Sequence, residues 1–262
     1  MDRLNQAARI IAAARLAGEP LSHLPTHARP RDEAEAYGVQ RLVDKALRDR
    51  HGDAVGFKIA CTTPVMQSYL GIATPCYAVL RAGDVVPSGS VLDAGSYRRL
   101  GVECEIAVRM GADLTAADAG DRAKVLAAID TIHAAIEIVD DRYADWRSLD
   151  TPTLIADDFF SAGAVLGPAV APETMADLGE VSGETNLNGA IVGSGKGSDV
   201  MGHPAAALAW LATRLNETGG RLKAGHLVLT GSLVETRWLA AGDTATVSIA
   251  GLGTLSLSLA PG

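Results

Sequence analysis

The sequence predicts an α+β protein, with a small helical part over residues 1–52 and a strand-dominated body with a few helices over residues 53–262. Two observations carry this. The first fifty residues hold helical periodicity bounded by helix start and stop signals. The remainder holds short apolar runs separated by Gly, Pro, Asn and Asp, the punctuation of strands and turns.

Residues 1–20 place Leu4, Ala8, Ile11 and Ala12 on one stripe, which predicts an amphipathic helix. Arg3, Arg9 and Arg15 interrupt the segment, so it lacks the unbroken apolar run of a signal peptide or spanning helix. Residues 31–50 open acidic and end basic, the order a helix dipole favours. Pro20, Pro25 and Pro30 punctuate the link. Residues 55–61 read as a strand, Thr63 and Pro64 as N-cap and first residue of a short helix, and Gly71 as its stop. Turn residues crowd positions 75–95, where short strands are expected. The segment GVECEIAVRM alternates: Val102, Cys104, Ile106 and Val108 share one face, and Glu103, Glu105 and Ala107 the other.

Residues 114–129 read as a loop and helix, 135–139 as a strand, 150–158 as a polar loop and 161–167 as a strand. A hairpin turns near Asn188 and Gly189. His203 and Pro204 open a helix that Gly219 and Gly220 close. The tail reads as strands with turns at Gly231, at Gly242 and Asp243, and from Gly251 to Gly253. No repeat of fixed period and no low-complexity linker divides the chain.

With 48% hydrophobic and 21% charged residues, the composition is that of an ordinary globular protein and argues against disorder. The formal charge of −8 argues against non-specific nucleic-acid binding. The three cysteines, Cys61, Cys76 and Cys104, lack metal or redox spacing and make a poor disulfide framework, so a reducing cytoplasm is expected. No membrane segment is expected.

Glu103 and Glu105, at i and i+2 of a strand, project from one face. Either that face is wet, or a cation or proton offsets their repulsion. Glu137 sits inside the apolar run HAAIEIV, where an ionised carboxylate needs a partner or a metal. Three carboxylates from two strands form an oxygen-only set with open positions, which suits Mg²⁺ or Mn²⁺ rather than a closed zinc site. Lys58, between Phe57 and Ile59, reads either as a snorkelling residue or as a partly buried ammonium. In the second case it polarises substrate or shuttles a proton, its pKa lowered by desolvation. The segment VGSGKGSD fails the phosphate-loop pattern because Gly197 follows Lys196. Ser161 and Ser232 lie beside glycines but outside any nucleophile elbow. His133 and His203 lack metal-ligand spacing. Trp146, Trp210 and Trp238 read as packing residues.

These segments, GFKIACTTPVMQSYLG, GVECEIAVRM, AAIEIVDDRYADW, LIADDFFSAGAVLG, GHPAAALAWLATRL and LVLTGSL, occur in the order seen in the 2-keto-4-pentenoate hydratases. The chain resembles that family, within the fumarylacetoacetate hydrolase superfamily, from about Arg31 nearly to the C-terminus. The resemblance implies a mixed β-roll with outer helices. It implies Mg²⁺ or Mn²⁺ on Glu103, Glu105 and Glu137, Lys58 in the active site and Ser232 at the substrate. It also implies a homo-oligomer acting on a small 2-oxo or 2-hydroxydienoic acid in aromatic catabolism. Two positions depart from the pattern. Cys76 stands where the hydratases carry an aspartate and the related 4-oxalocrotonate decarboxylases an apolar residue. Asp158 stands where an asparagine is usual, adding negative charge; both positions are expected beside the substrate.

The expected reaction is metal-dependent hydration of a 2-hydroxy-2,4-dienoate to a 4-hydroxy-2-oxo acid, with Lewis-acid stabilisation of an enolate and help from Lys58. Decarboxylation of a 2-oxo-3-enedioate is the alternative, because loss of CO₂ leaves the same dienolate. An acylpyruvate C–C hydrolase, which lacks a clear His–Glu pair here, and an inactive binding protein are the further alternatives.

Overall fold

The computed structural model describes residues 2–175 and 177–261. Two helices lead. α1 (Arg3–Ala17) buries Ala7, Ala8, Ile11 and Ala12, and ends at Gly18 in the left-handed region. α2 (Glu33–His51) starts at Asp32, whose carboxylate accepts the Glu35 N–H, and carries Arg48, Arg50 and His51 in its last turn. β1 (Ala54–Ala60) follows, then α3 (Pro64–Leu70) with Thr63 as cap and Gly71 as stop, as the sequence predicts. Next come β2 (Cys76–Arg81), β3 (Val85–Pro87), β4 (Ser90–Leu92), β5 (Leu100–Met110), α4 (Arg122–Ala127) and β6 (Ile129–Asp140). α5 (Thr151–Ala156), β7 (Ser161–Leu166), β8 (Ser182–Leu187) and β9 (Ala190–Lys196) lead to α6 (Pro204–Glu217). β10 (Leu227–Ser232), β11 (Arg237–Trp238), β12 (Thr244–Ile249) and β13 (Gly253–Leu259) complete the chain.

One sheet has eight strands in the order β2-β1-β10-β5-β6-β7-β3, with β11 beside β5; the other has the order β4-β13-β12-β8-β9. Parallel pairs (β1 with β10, β3 with β7, β4 with β13) mix with antiparallel ones. The large sheet curls on itself. Leu80 of β2 reaches Ala164 of β7 in one small cluster with Ala107, Ala135, Leu227 and Leu229. Alanines at three of these positions keep the concave face narrow. The convex face carries Val102, Cys104, Ile106, Val108, Ile136 and Ile138, which share the main core with Val247, Leu255 and Leu257 of the second sheet. Each such fully buried side chain contributes roughly 1.5–3 kcal/mol. The architecture is the expected mixed β-roll with outer helices. The helical part shares this core: Ile11, Tyr37, Val43 and Leu47 belong to it, and Gln40 of α2 donates to the carbonyls of Tyr77 and Ile155.

Three local expectations give way to tertiary context. Residues 150–158 contain a helical turn rather than only loop. Asp150 accepts the Thr153 N–H at 2.8 Å, Pro152 fits the first turn, and Leu154 and Ile155 are buried. β6 begins at Ile129, not at 135, because it pairs along the whole of β5 as far as Met110. Gly231 lies inside β10 rather than in a turn. Its φ of 125° accompanies a register shift between Leu229 and Ser232, a bulge. The hairpin at Asn188 (φ 52°) and Gly189 (φ 91°) forms as predicted.

Candidate metal centre

Glu103 and Glu137 lie opposite each other in the register of β5 and β6, and Glu105 follows two residues along β5 on the same face. That face is the concave side of the roll. The strand partners are small, Ala135 opposite Glu105 and Ala164 opposite Glu137, which leaves room for the carboxylates inside the curl. One oxygen from each of the three acids can be chosen so that all lie within 4.8 Å of one another. Glu105 and Glu137 are 0% and 1% exposed, and Glu103 is half-buried.

Each acid has a different holder. The Thr236 hydroxyl donates to Glu103. The Gly231 N–H donates to Glu105 Oε2 at 2.8 Å. Lys58 Nζ, on β1, forms a buried ion pair with Glu137 Oε1 at 2.9 Å. Glu105 Oε1 and Glu137 Oε2 are buried without a hydrogen-bond partner. Burial, then Glu137, pushes Glu103 up to about 7. Burial, then Glu137 and Glu103, pushes Glu105 well above the carboxylate range. Protons or a cation must therefore neutralise the cluster. Three hard oxygen donors, two with orphaned oxygens, fit a divalent ion of the Mg²⁺ class and leave coordination positions open. Lys58 departs from the lowered pKa expected of a desolvated ammonium. Burial pulls it down, but Glu137 and Glu103 more than offset this, and it stays above its ordinary value.

The other predicted residues sit around this core. Ser232 is paired with Glu105 in register, but its hydroxyl proton serves main-chain carbonyls, with Val234 O at 2.6 Å and Cys104 O at 3.3 Å. Cys76 opens β2 opposite Ala60 and is 1% exposed. Burial, with Cys61 nearby, holds its thiol well above the usual range, so it is an apolar neutral group. Asp158 is not among the converging acids. Both its oxygens are engaged: Oδ2 by Arg15 Nη1 at 2.6 Å and Arg81 Nη2 at 2.9 Å, and Oδ1 by the Val79 N–H at 3.2 Å. Although burial alone would raise it, the two arginines hold its carboxyl down to about 2. The charge added at this position is thus answered inside the fold.

Sequence reasoning misses several residues near the centre. Gly231 presents its N–H to Glu105, and a Cβ there would stand 2.5 Å from Thr62 Oγ1. Asp158, Phe159 and Phe160 have φ of 58°, 44° and 65°, three consecutive left-handed residues without a glycine. Each is unfavourable by roughly 1–2 kcal/mol. The Phe159 ring centroid lies 5.8 Å from Lys58 Nζ. Arg142 braces this turn through Asp157 Oδ2 at 2.8 Å, the Ser161 carbonyl at 3.0 Å and the Asp157 carbonyl. Arg142 carries a sequence signal as the last residue of the EIVDDR segment. A separate surface cavity of about 320 Å³ contains none of the cluster residues. His203 on its wall caps α6 through Nδ1 and donates from Nε2 to Asp177 at 2.8 Å. His133 is likewise engaged, by Thr131 and the Gly167 carbonyl.

Comparison with known proteins bears on the family and the fold. Residues 73–259 match the family model described as fumarylacetoacetate (FAA) hydrolase C-terminal. The chain is 36% identical to a 2-keto-4-pentenoate hydratase of Paraburkholderia phymatum, over 87% of this chain and 86% of that protein. It is 32% identical to a 4-oxalocrotonate decarboxylase of Pseudomonas putida, over 85% of this chain and 84% of that one. The solved 4-oxalocrotonate decarboxylase of Pseudomonas putida G7, complexed with magnesium and adipate, superposes with a TM-score of 0.91 at 29% identity, covering 99% of this chain and 98% of that one. With two thirds of its length inside the family model and relatives of this similarity along most of the chain, the protein belongs to the fumarylacetoacetate hydrolase family.

Proposed function

We propose that the chain is a divalent-cation-dependent lyase that hydrates a 2-hydroxy-2,4-dienoate to a 4-hydroxy-2-oxo acid. The convergence of Glu103, Glu105 and Glu137 beside the Lys58 ammonium carries this reading. When bound, the ion supplies Lewis-acid polarisation of a 2-oxo acid or its enol. The glutamates supply the hard anionic ligands, with Thr236 and Gly231 fixing two of them in orientation. Lys58 acts as a fixed cation and hydrogen-bond donor at Nζ, placed to stabilise negative charge developing on the substrate's 2-oxygen. Burial of the cluster in the curl lowers the local dielectric and strengthens these interactions. Magnesium or manganese as the ion is supported by the all-oxygen donor set. A cytoplasmic location is supported by the three free, buried cysteines. Homo-oligomeric assembly rests on family resemblance. Among the described residues, no helix is long and apolar enough to cross a membrane.

One observation favours a second reading. Hydration needs a group that manages protons at the far end of the dienolate, and Cys76, a buried neutral thiol, replaces the aspartate usual in the hydratases. Decarboxylation of a 2-oxo-3-enedioate reaches the same dienolate by losing CO₂ and makes less demand on that position. An ultraviolet assay of 2-hydroxydienoates and 2-oxo-3-enedioates with Mg²⁺, with products identified, separates the two. Formation of 4-hydroxy-2-oxo acid supports hydration, CO₂ release supports decarboxylation, and inertness toward both classes contradicts the lyase reading.

A further inference from the structure

We propose that Phe159 is a positioning residue for Lys58, held over the ammonium by a strained turn that arginines of three separate segments clamp in place. The proposal rests on the lyase reading for what Lys58 does, but not for where Lys58 is held. Left-handed backbone at three successive non-glycine residues, two of them phenylalanines, persists only where the surroundings over-determine it. The surroundings here do so. Arg15 of α1 bonds Asp158 at 2.6 Å and the Ser161 carbonyl at 3.2 Å. Arg81 of β2 bonds the same carboxylate at 2.9 Å, and Arg142 bonds the Ser161 carbonyl at 3.0 Å. Asp157 and Asp158 are 0% exposed.

What the strain achieves is the placement of one ring. Phe159 is 3% exposed, its centroid is 5.8 Å from Lys58 Nζ, and it packs edge-on to Phe160 at 5.8 Å. An ammonium on a flexible four-carbon stem has many positions available. The Phe159 ring at cation–π range and Glu137 Oε1 at 2.9 Å together restrict it. The N-terminal helix thereby contributes to the centre through Arg15 without touching it.

The test combines kcat and KM with calorimetric titration of oxalate, a planar mimic of a 2-oxo acid enolate, in the Mg²⁺-loaded protein. Phe159→Leu keeps apolar volume and removes the π face. We expect it to lower kcat by about ten- to a hundredfold with KM within about threefold, and Phe159→Tyr to recover most of the loss. Oxalate affinity should fall in Phe159→Leu, and in a Lys58→Met background Phe159→Leu should lower it no further, since Phe159 acts only through that ammonium. Arg15→Gln, which loosens the clamp without changing the turn's own residues, should reproduce the kcat loss in part and serves if Phe159→Leu does not fold. Wild-type kcat and oxalate affinity in Phe159→Leu, or in Arg15→Gln where that variant stands in, would overturn the proposal. So would fully additive losses with Lys58→Met. If the wild type binds oxalate but turns over no 2-oxo acid, the lyase reading fails while the oxalate coupling still decides the role of Phe159.

Discussion

Glu103 and Glu137 face each other directly across β5 and β6, two acids at a register position where like charges repel. With Glu105 on the same face, the fold concentrates a charge it cannot neutralise with the single ammonium of Lys58. The metal-free protein therefore retains protons there that a divalent ion displaces, and at alkaline pH the residual repulsion destabilises the cluster.

Replacing one acid should separate stability from function. Glu105→Gln is expected to raise the metal-free melting temperature by about 2–4 °C at pH 8, for a gain on the order of 1 kcal/mol. It should also abolish the further rise that Mg²⁺ gives the wild type. Thermal melts with and without Mg²⁺ check both.

The pH dependence follows from Glu103, raised from 4.5 to about 7, and from Glu105, raised further. In the folded metal-free state they hold protons that the unfolded chain has released. Their contribution is complete below about pH 4.5; the Glu103 part is lost as pH rises through about 7, and Glu105 adds a loss of the same sign. Metal-free stability should fall over that window, while Mg²⁺ affinity rises with release of protons. Asp158 has the opposite sign, since its pKa is lowered from 3.8 to about 2 and its contribution is lost only as pH falls through that lower range. Denaturant titrations at a series of pH values, in chelator and in Mg²⁺, distinguish these windows.

For Lys58→Met, turnover should fall by at least about a hundredfold. Mg²⁺ affinity should hold or tighten, because a competing positive charge 2.9 Å from Glu137 is removed. Calorimetry and steady-state kinetics on the same preparation check the split. Loss of metal binding would make Lys58 a structural residue instead.

Gly231→Ala should destabilise the protein by about 2–3 kcal/mol and weaken Mg²⁺ binding together. The added methyl meets Thr62 at 2.5 Å, and the displaced N–H leaves Glu105. Chemical denaturation and Mg²⁺ titration measure the two effects.

Local rules made much of this legible. Asp32, Thr63 and His203 cap helices as their residue types require, and the alternation around Glu103 and Glu105 places both acids on one face. Glu137 stands out in the sequence because an apolar run has no other use for a carboxylate. What stayed hidden depends on long-range partners. Nothing near Asp158 in the sequence points to Arg15, 143 positions earlier, as its partner. Gly231 reads as a turn until its partner strand reveals a bulge. The six residues of α5 are too few for periodicity to register, and their burial comes from the fold.

The central claim is that Glu103, Glu105 and Glu137 together hold one divalent ion. Anomalous diffraction from crystals soaked in Mn²⁺ tests it most directly. The account predicts a single strong peak per chain about 2.1 Å from an oxygen of each of the three glutamates. Density without such a peak, or an ion held elsewhere while the three acids stay apart, would contradict it.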